Sequence, residues 1–195
     1  MSIKLAFEVG VIDPRPEFVN PLEDALQEVL PGHFVVGYRS SEQFLANVQT
    51  DPLHVPLLVI ADSASRTPSV EEGLFARVKD LVPRCRKLLY SASMLERDRL
   101  EERLLVDRAI RSSSANALSS LIDAVRFEVR SFEESVEFDL IQTFLEAVRA
   151  TPHPDKSSVD DGEGALSPRQ ILIEMARGTD RGRRYLRNIH RLNLK

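Results

Sequence analysis

Two aspartates stand where apolar runs stop. Asp13 follows Val11-Ile12, and Asp62 closes the unbroken run from Val55 to Ala61. Taken singly, an aspartate in such a place starts a turn or caps the next helix. Two of them at equivalent ends of two strands favour an acidic pocket instead. Ser91 and Arg111 occupy comparable positions after the runs 88–90 and 105–110. By itself Ser91 says nothing, and Arg111 reads equally well as a solvated strand-end cation. Other chemistries are poorly served. His33, His54, His153 and His190 are scattered, with no pair at metal-ligand spacing and no Ser/His/Asp order around a nucleophile elbow. The eight glycines are dispersed, so no loop is built to cradle a nucleotide's phosphates. Cys85, between Arg84 and Arg86, reads as a buried spectator rather than a nucleophile, and a lone cysteine forms no internal disulfide.

Strand ends matter only if strands are there to hold them. Residues 3–13 are strand-like, and 17–30 form an amphipathic helix with Phe18, Leu22, Ala25, Leu26 and Val29 on one face, stopped by Pro31-Gly32. The pattern then repeats. A β-rich stretch at 33–38 precedes a helix beginning after Ser40 or Ser41, and 55–61 reads as a central parallel strand covered on both faces. A helix over 69–82, a strand at 88–90, a short helix over 94–103, a strand over 105–111 and a fifth helix beyond Ser114 complete the series. Parallel strands need crossovers, and helices are the usual ones. The expected fold is therefore α/β: a five-stranded parallel, doubly wound sandwich over residues 1–130 with a C-terminal helical extension. In such sheets the functional crevice lies at the carboxyl ends of the strands.

That crevice would be lined by Asp13-Pro14-Arg15-Pro16-Glu17, Asp62, Ser91 and Arg111. In order, spacing and strand-end residue type, residues 4–130 resemble the receiver domain of two-component response regulators. The resemblance implies that Asp62 is the phosphoacceptor and that Asp13 and Asp62 hold Mg²⁺. It further implies Ser91 as the switch hydroxyl and Arg111 as the cation on the phosphoryl group. A histidine kinase or phosphotransfer protein would be the input partner. Tyr90 and Ala109 flank the face through which the change would travel. Three departures stand out. Pro14 replaces the second acid that usually ligates the metal directly, which weakens Mg²⁺ binding unless Glu17 or water compensates. Arg111 or Ser112 replaces the family's lysine, and Ser112 or Ser113 its following proline.

The final third changes character. Apolar residues at 118, 122, 125, 129, 132 and 136 follow a heptad, less strictly continued by Leu140, Phe144 and Val148. This seam predicts a helix over 118–150 that extends beyond the sandwich and pairs with a second copy. The competing reading breaks the helix near Ser131 and folds 131–150 back on the body. Residues 151–166, rich in Pro, Ser, Asp and Gly, read as a flexible linker. The tail, 167–195, starts with Ser167-Pro168 as N-cap and first turn, breaks at Gly178, and continues to about residue 192. It holds too few apolar residues for its own core and should dock on something.

Charge divides the same way. Residues 165–195 carry eight Arg and Lys against two acids, a net +6, which leaves −10 on residues 1–164 of the total −4. A basic tail suits an acidic protein partner, a nucleic acid, or the chain's own acidic body. No apolar run approaches the length needed to cross a membrane. The N-terminus lacks the pattern of an export signal, so a cytoplasmic location is expected. The leading expectation is an atypical response regulator, at most catalysing phosphorylation and dephosphorylation of its own aspartate, which switches an interaction with a downstream protein through the face of its fourth and fifth strands and its C-terminal helices. The alternatives are a phosphorylation-independent pseudo-receiver serving as a dimeric scaffold and, less favoured, a regulator with a DNA-binding tail.

Overall fold

The structure is a computed structural model that describes residues 6–62, 73–91, 106–111, 116–156 and 159–193. The expected helix over 94–103, the first part of the one over 69–82, and Ser112 and Ser113 lie outside these residues. Five parallel strands, β1 (Ala6–Ile12), β2 (Phe34–Tyr38), β3 (His54–Asp62), β4 (Arg86–Ser91) and β5 (Arg108–Arg111), form one sheet in the order β2-β1-β3-β4-β5. Around it lie α1 (Pro16–Val29), α2 (Ser41–Thr50), α3 (Leu74–Leu81) and α4 (Ala117–Glu133). α1 contacts α4 and α2 contacts α3. Right-handed crossovers put those pairs on opposite faces.

The sequence explains the layering. Every residue of β3 from Val55 to Ala61 that is apolar is at most 5% exposed, as a central strand packed on both sides must be. Pro56 lacks the N–H a ladder needs, and the β1–β3 register slips beside it, between Glu8 and Val9. α1 begins with Pro16 in its first turn and ends at Leu30, just before Pro31. Ser40 caps α2 by accepting from the Gln43 N–H at 3.3 Å.

Beyond α4 the chain turns back. α4 stops at Glu133, and Ser135 caps a new helix, α5 (Val136–Ala150), by accepting from the Phe138 N–H at 3.2 Å. The continuous heptad helix is therefore replaced by a hairpin. Its cause is packing: Phe132 and Phe138 meet edge-on at 5.2 Å, and both meet Phe7 at the start of β1, at 5.3 and 5.8 Å. Val125 and Val129, central to the expected seam, are at most 1% exposed inside the chain's own core, whereas Leu118 and Val136 at its ends are exposed.

Residues 151–166 include a short antiparallel ribbon, β6 (Val159–Asp160) with β7 (Ala165–Leu166). The tail forms α6 (Pro168–Arg177) and α7 (Asp180–Asn193). Ser167 and Gln170 make a reciprocal capping box at the start of α6, and Gly178 ends it at φ +72°, a left-handed value that favours glycine. Gly182 lets α7 lie on α6, since a Cβ there would come within 2.0 Å of the Glu174 carbonyl oxygen. The tail docks on its own body. Ile171, Leu172, Met175, Ala176 and Leu186 join one core with the sheet residues and with Leu140, Ile141, Leu145 and Val148 of α5.

This cap sits beneath the amino ends of the strands. Arg177 donates to the Val48 carbonyl at the end of α2 (2.7 Å), the Arg84 N–H donates to the Arg177 carbonyl (3.1 Å), and His33 pairs with Glu133 (3.0 Å). Part of the tail's positive charge is met by the acidic stretch before it: Arg169 by Asp155 (3.1 Å), Arg181 by Asp161 (2.6 Å) and Arg184 by Glu163 (2.6 Å). No described helix is long and apolar enough to cross a membrane.

Candidate functional site

The carboxyl ends of the strands bring the expected residues into adjoining rows. Ile12 pairs with Ala61, so Asp13 and Asp62 are next along neighbouring strands. Asp62 pairs with Tyr90, and Ser91 with Arg111. The backbone therefore gathers Asp13, Asp62, Ser91 and Arg111 at one edge. The side chains of Asp62, Ser91 and Arg111 lie outside the described ones.

Asp13 is fully described, and it is already engaged. It is 0% exposed. Its Oδ1 accepts from the Arg15 N–H at 2.8 Å and from Arg15 Nε at 2.9 Å, while Oδ2 accepts from Arg15 Nη2 at 2.6 Å. The backbone bond closes an Asx turn, with Pro14 as its rigid middle residue. The two side-chain bonds form a bidentate fork, the strong geometry for a guanidinium on a carboxylate. Arg15 is the residue the sequence reading missed. Its signal was local: Asp-Pro-Arg places a guanidinium two residues after the carboxylate across a preset turn.

The contact continues across the sheet edge. The Arg15 guanidinium lies 5.4 Å from the Phe18 ring centroid, and Phe18 stacks on Tyr90 at 5.1 Å. Asp13, Arg15, Phe18 and Tyr90 thus link the end of β1 to the residue beside Ser91. Cys85 is away from this edge, before β4, and is 1% exposed. Burial pushes its thiol well above the ordinary cysteine value, an effect the Lys87 charge only partly offsets, so it is not a ready nucleophile.

No protein-family model matches the sequence, and no curated protein matches it. Solved structures do. A response regulator from Thermotoga maritima superposes with a TM-score of 0.51 at 16% identity, covering 65% of this chain and 99% of its own. A receiver domain protein from Methanospirillum hungatei gives 0.52 at 15%, covering 66% and 98%. The BeF3-activated DrrB receiver domain gives 0.51 at 13%, covering 64% and 98%. The fold is that of a response-regulator receiver domain. This receiver fold accounts for about two thirds of the chain.

A receiver's Mg²⁺ takes oxygen ligands at the acidic edge, where the side chains of Asp13 and Glu17 are described and that of Asp62 is not. Pro14 offers no side-chain oxygen. Asp13 has both carboxylate oxygens committed to Arg15, whose positive charge sits where a cation would be drawn. Glu17 is exposed on the first turn of α1. Among the described residues no group of three His, Cys, Asp or Glu side chains converges on a metal-sized space. Of the two carboxylates expected to hold Mg²⁺, Asp13 is thus paired with Arg15, and the Asp62 side chain lies outside the described ones.

Proposed function

We propose that this chain is a pseudo-receiver: a signalling module that uses the receiver sandwich for protein contacts without Mg²⁺-dependent phosphoryl transfer. The observation that carries this is the Arg15 fork on the buried Asp13 carboxylate. An internal guanidinium neutralises the acid that a receiver otherwise offers to a metal. The paired carboxylate is tied through Arg15 and Phe18 to Tyr90. Contacts with a partner protein fall to the C-terminal helices, whose solvent face carries Arg184, Arg187 and Arg191 and suits an acidic surface. A cytoplasmic location belongs to this reading, as does pairing with a second copy through exposed Leu118 and Phe127 on α4.

Incubation with acetyl phosphate and Mg²⁺, read by intact mass, is expected to leave the chain unmodified. Mg²⁺ titration followed by NMR should give no saturable shift at Asp13, Arg15 or Tyr90. A gain of about 80 Da, the mass of one phosphoryl group, that disappears in Asp62→Asn would overturn the proposal.

That outcome would favour a second reading, supported by the register that sets Asp62 beside Asp13 and Ser91 opposite Arg111. In it Asp62 accepts a phosphoryl group from a histidine kinase or phosphotransfer protein, and Ser91 and Arg111 receive its oxygens. The added charge would then compete with Asp13 for Arg15 and alter the Phe18–Tyr90 contact. DNA binding by the tail is less favoured, because part of its positive charge is already paired with Asp155, Asp161 and Glu163 of the same chain.

A further inference from the structure

At the other end of the sheet, a cavity of about 300 Å³ lies where the approach to β4, the α4–α5 turn and the α6–α7 turn meet. Its walls carry four cations, Arg84, Arg86, Lys87 and Arg183, against two carboxylates, Asp107 and Glu137. Two of the cations are well matched. Lys87 Nζ donates to the Cys85 carbonyl (3.0 Å) and pairs with Asp107 (3.1 Å); Arg86 pairs with Asp107 (3.2 Å) and with Glu128 (3.7 Å) outside the cavity. Arg84 and Arg183 are not.

Arg84 has a side chain only 10% exposed, and one of its terminal nitrogens pairs with Glu137 at 2.6 Å. Its guanidinium lies 5.6 Å from the Phe132 ring centroid, and its Nε has no hydrogen-bond partner. Arg183 donates from Nε to the Gly178 carbonyl (2.8 Å) and has no carboxylate within ion-pair distance among the described residues. Burial lowers the proton affinity of Arg84, Glu137 restores part of it, and the nearby Arg183 charge lowers it again. Of these two guanidiniums on one cavity, only Arg84 is paired with a carboxylate, and that carboxylate is itself half exposed. An anion between them would relieve their repulsion and meet planar donor forks shaped for phosphate oxygens.

We propose that this cavity binds a small phosphate-bearing molecule, with Arg84 and Arg183 on its anionic group. The volume matches the lower end of small-molecule sites, about 300–1,000 Å³. A ligand there touches the body through Arg84 and the tail through Arg183, so its binding couples the helical cap to the sheet. It would give the module an input other than aspartate phosphorylation, from the opposite end of the strands. The proposal stands whether or not Asp62 is modified.

Thermal melts of the full chain in sodium phosphate and in pyrophosphate, against sodium chloride at matched ionic strength, test it. A saturable rise in Tm of about 2–4 °C above the chloride control is expected for the parent. Arg187→Gln, which makes the same charge change on the solvent face of α7, should keep that rise. Arg183→Gln should abolish it, and Arg183→Lys, which keeps charge but loses the fork, should weaken apparent affinity about tenfold. Arg183 is exposed, so circular dichroism of these variants should match the parent. No rise above chloride, or an equal rise in Arg183→Gln, overturns the proposal.

Discussion

At the carboxyl ends of the strands, the polar edge is closed by a contact that spans two residues, Asp13 to Arg15. At the amino ends, closure comes from residues more than a hundred positions apart: Phe7 against Phe132 and Phe138, and Arg177 on the Val48 carbonyl. The first is electrostatic and local, a guanidinium paired with a buried carboxylate. The second is mainly apolar and long-range, and it adds a layer that belongs to the same core as the sheet. A tripeptide is therefore enough to engage the buried carboxylate at one end of the sandwich, while the added surface at the other end takes some sixty residues of additional chain. Change at the two ends should have different signatures.

The largest expected effect is at the cap. Leu172→Ala empties a fully buried position and should cost about 2–5 kcal/mol in urea denaturation. The unfolding should remain a single transition, because cap and sheet share one core. Two separate transitions, with the sheet unaffected, would break the comparison.

Next is the polar edge. Arg15→Gln leaves the Asp13 carboxylate buried without its fork. Breaking a buried pair costs about 3–5 kcal/mol, and the 46% exposure of the Arg15 side chain reduces the expected loss to about 2–3 kcal/mol. Asp13→Asn keeps the Asx turn and removes the buried charge, so it should cost less. Equal losses would mean that the turn, and not the charge pair, holds this edge.

Ser167→Ala removes one half of the α6 capping box and should cost about 1 kcal/mol. Its heat denaturation compared with that of Leu172→Ala apportions the docking of α6 between cap and apolar face.

The smallest effect is a pH dependence at the amino-end cavity. Burial pushes the Asp107 carboxyl up, but the Lys87 N–H and ammonium and the Arg86 guanidinium together outweigh it and hold the group below its ordinary value of 3.8. A carboxyl depressed in the folded state stabilises the fold above its unfolded value and loses that contribution as pH falls through the folded one. Asp107→Asn should thus be less stable than the parent at pH 7, with the difference shrinking as acid is added below pH 3.8. A difference constant with pH would remove the ion pairs from this account.

Much of the sandwich was legible from periodicity, because the run from Val55 to Ala61 has the length and β-branched content of a two-sided strand, α1 carries an apolar face bounded by Pro16 and Pro31, and α2 one that starts at its Ser40 cap. The caps of the tail were equally plain: Ser167-Pro168 and Gly178 act within a single turn. The α4–α5 junction was legible only as one of two readings, a break near Ser131 against a continuous helix. Spacing continues smoothly through residues 129, 132 and 136, and what breaks the helix is Phe7, which supplies a partner for Phe132 and Phe138 from the far end of the chain. At the edge, strand order was enough to gather Asp13, Asp62, Ser91 and Arg111, but the engagement of Asp13 by Arg15 depends on burial that strand order does not express.

Local chemistry in the sequence determined the strands, the capped helices and the Asp-Pro-Arg turn, since each depends on neighbours within a few residues. Tertiary structure alone decided that the apolar stripe of α4 faces inward, that the basic tail lies against its own body, and that Arg84 and Arg183 share a cavity. These outcomes rest on which distant surfaces exclude water together, and burial of that kind leaves no fixed spacing along the chain.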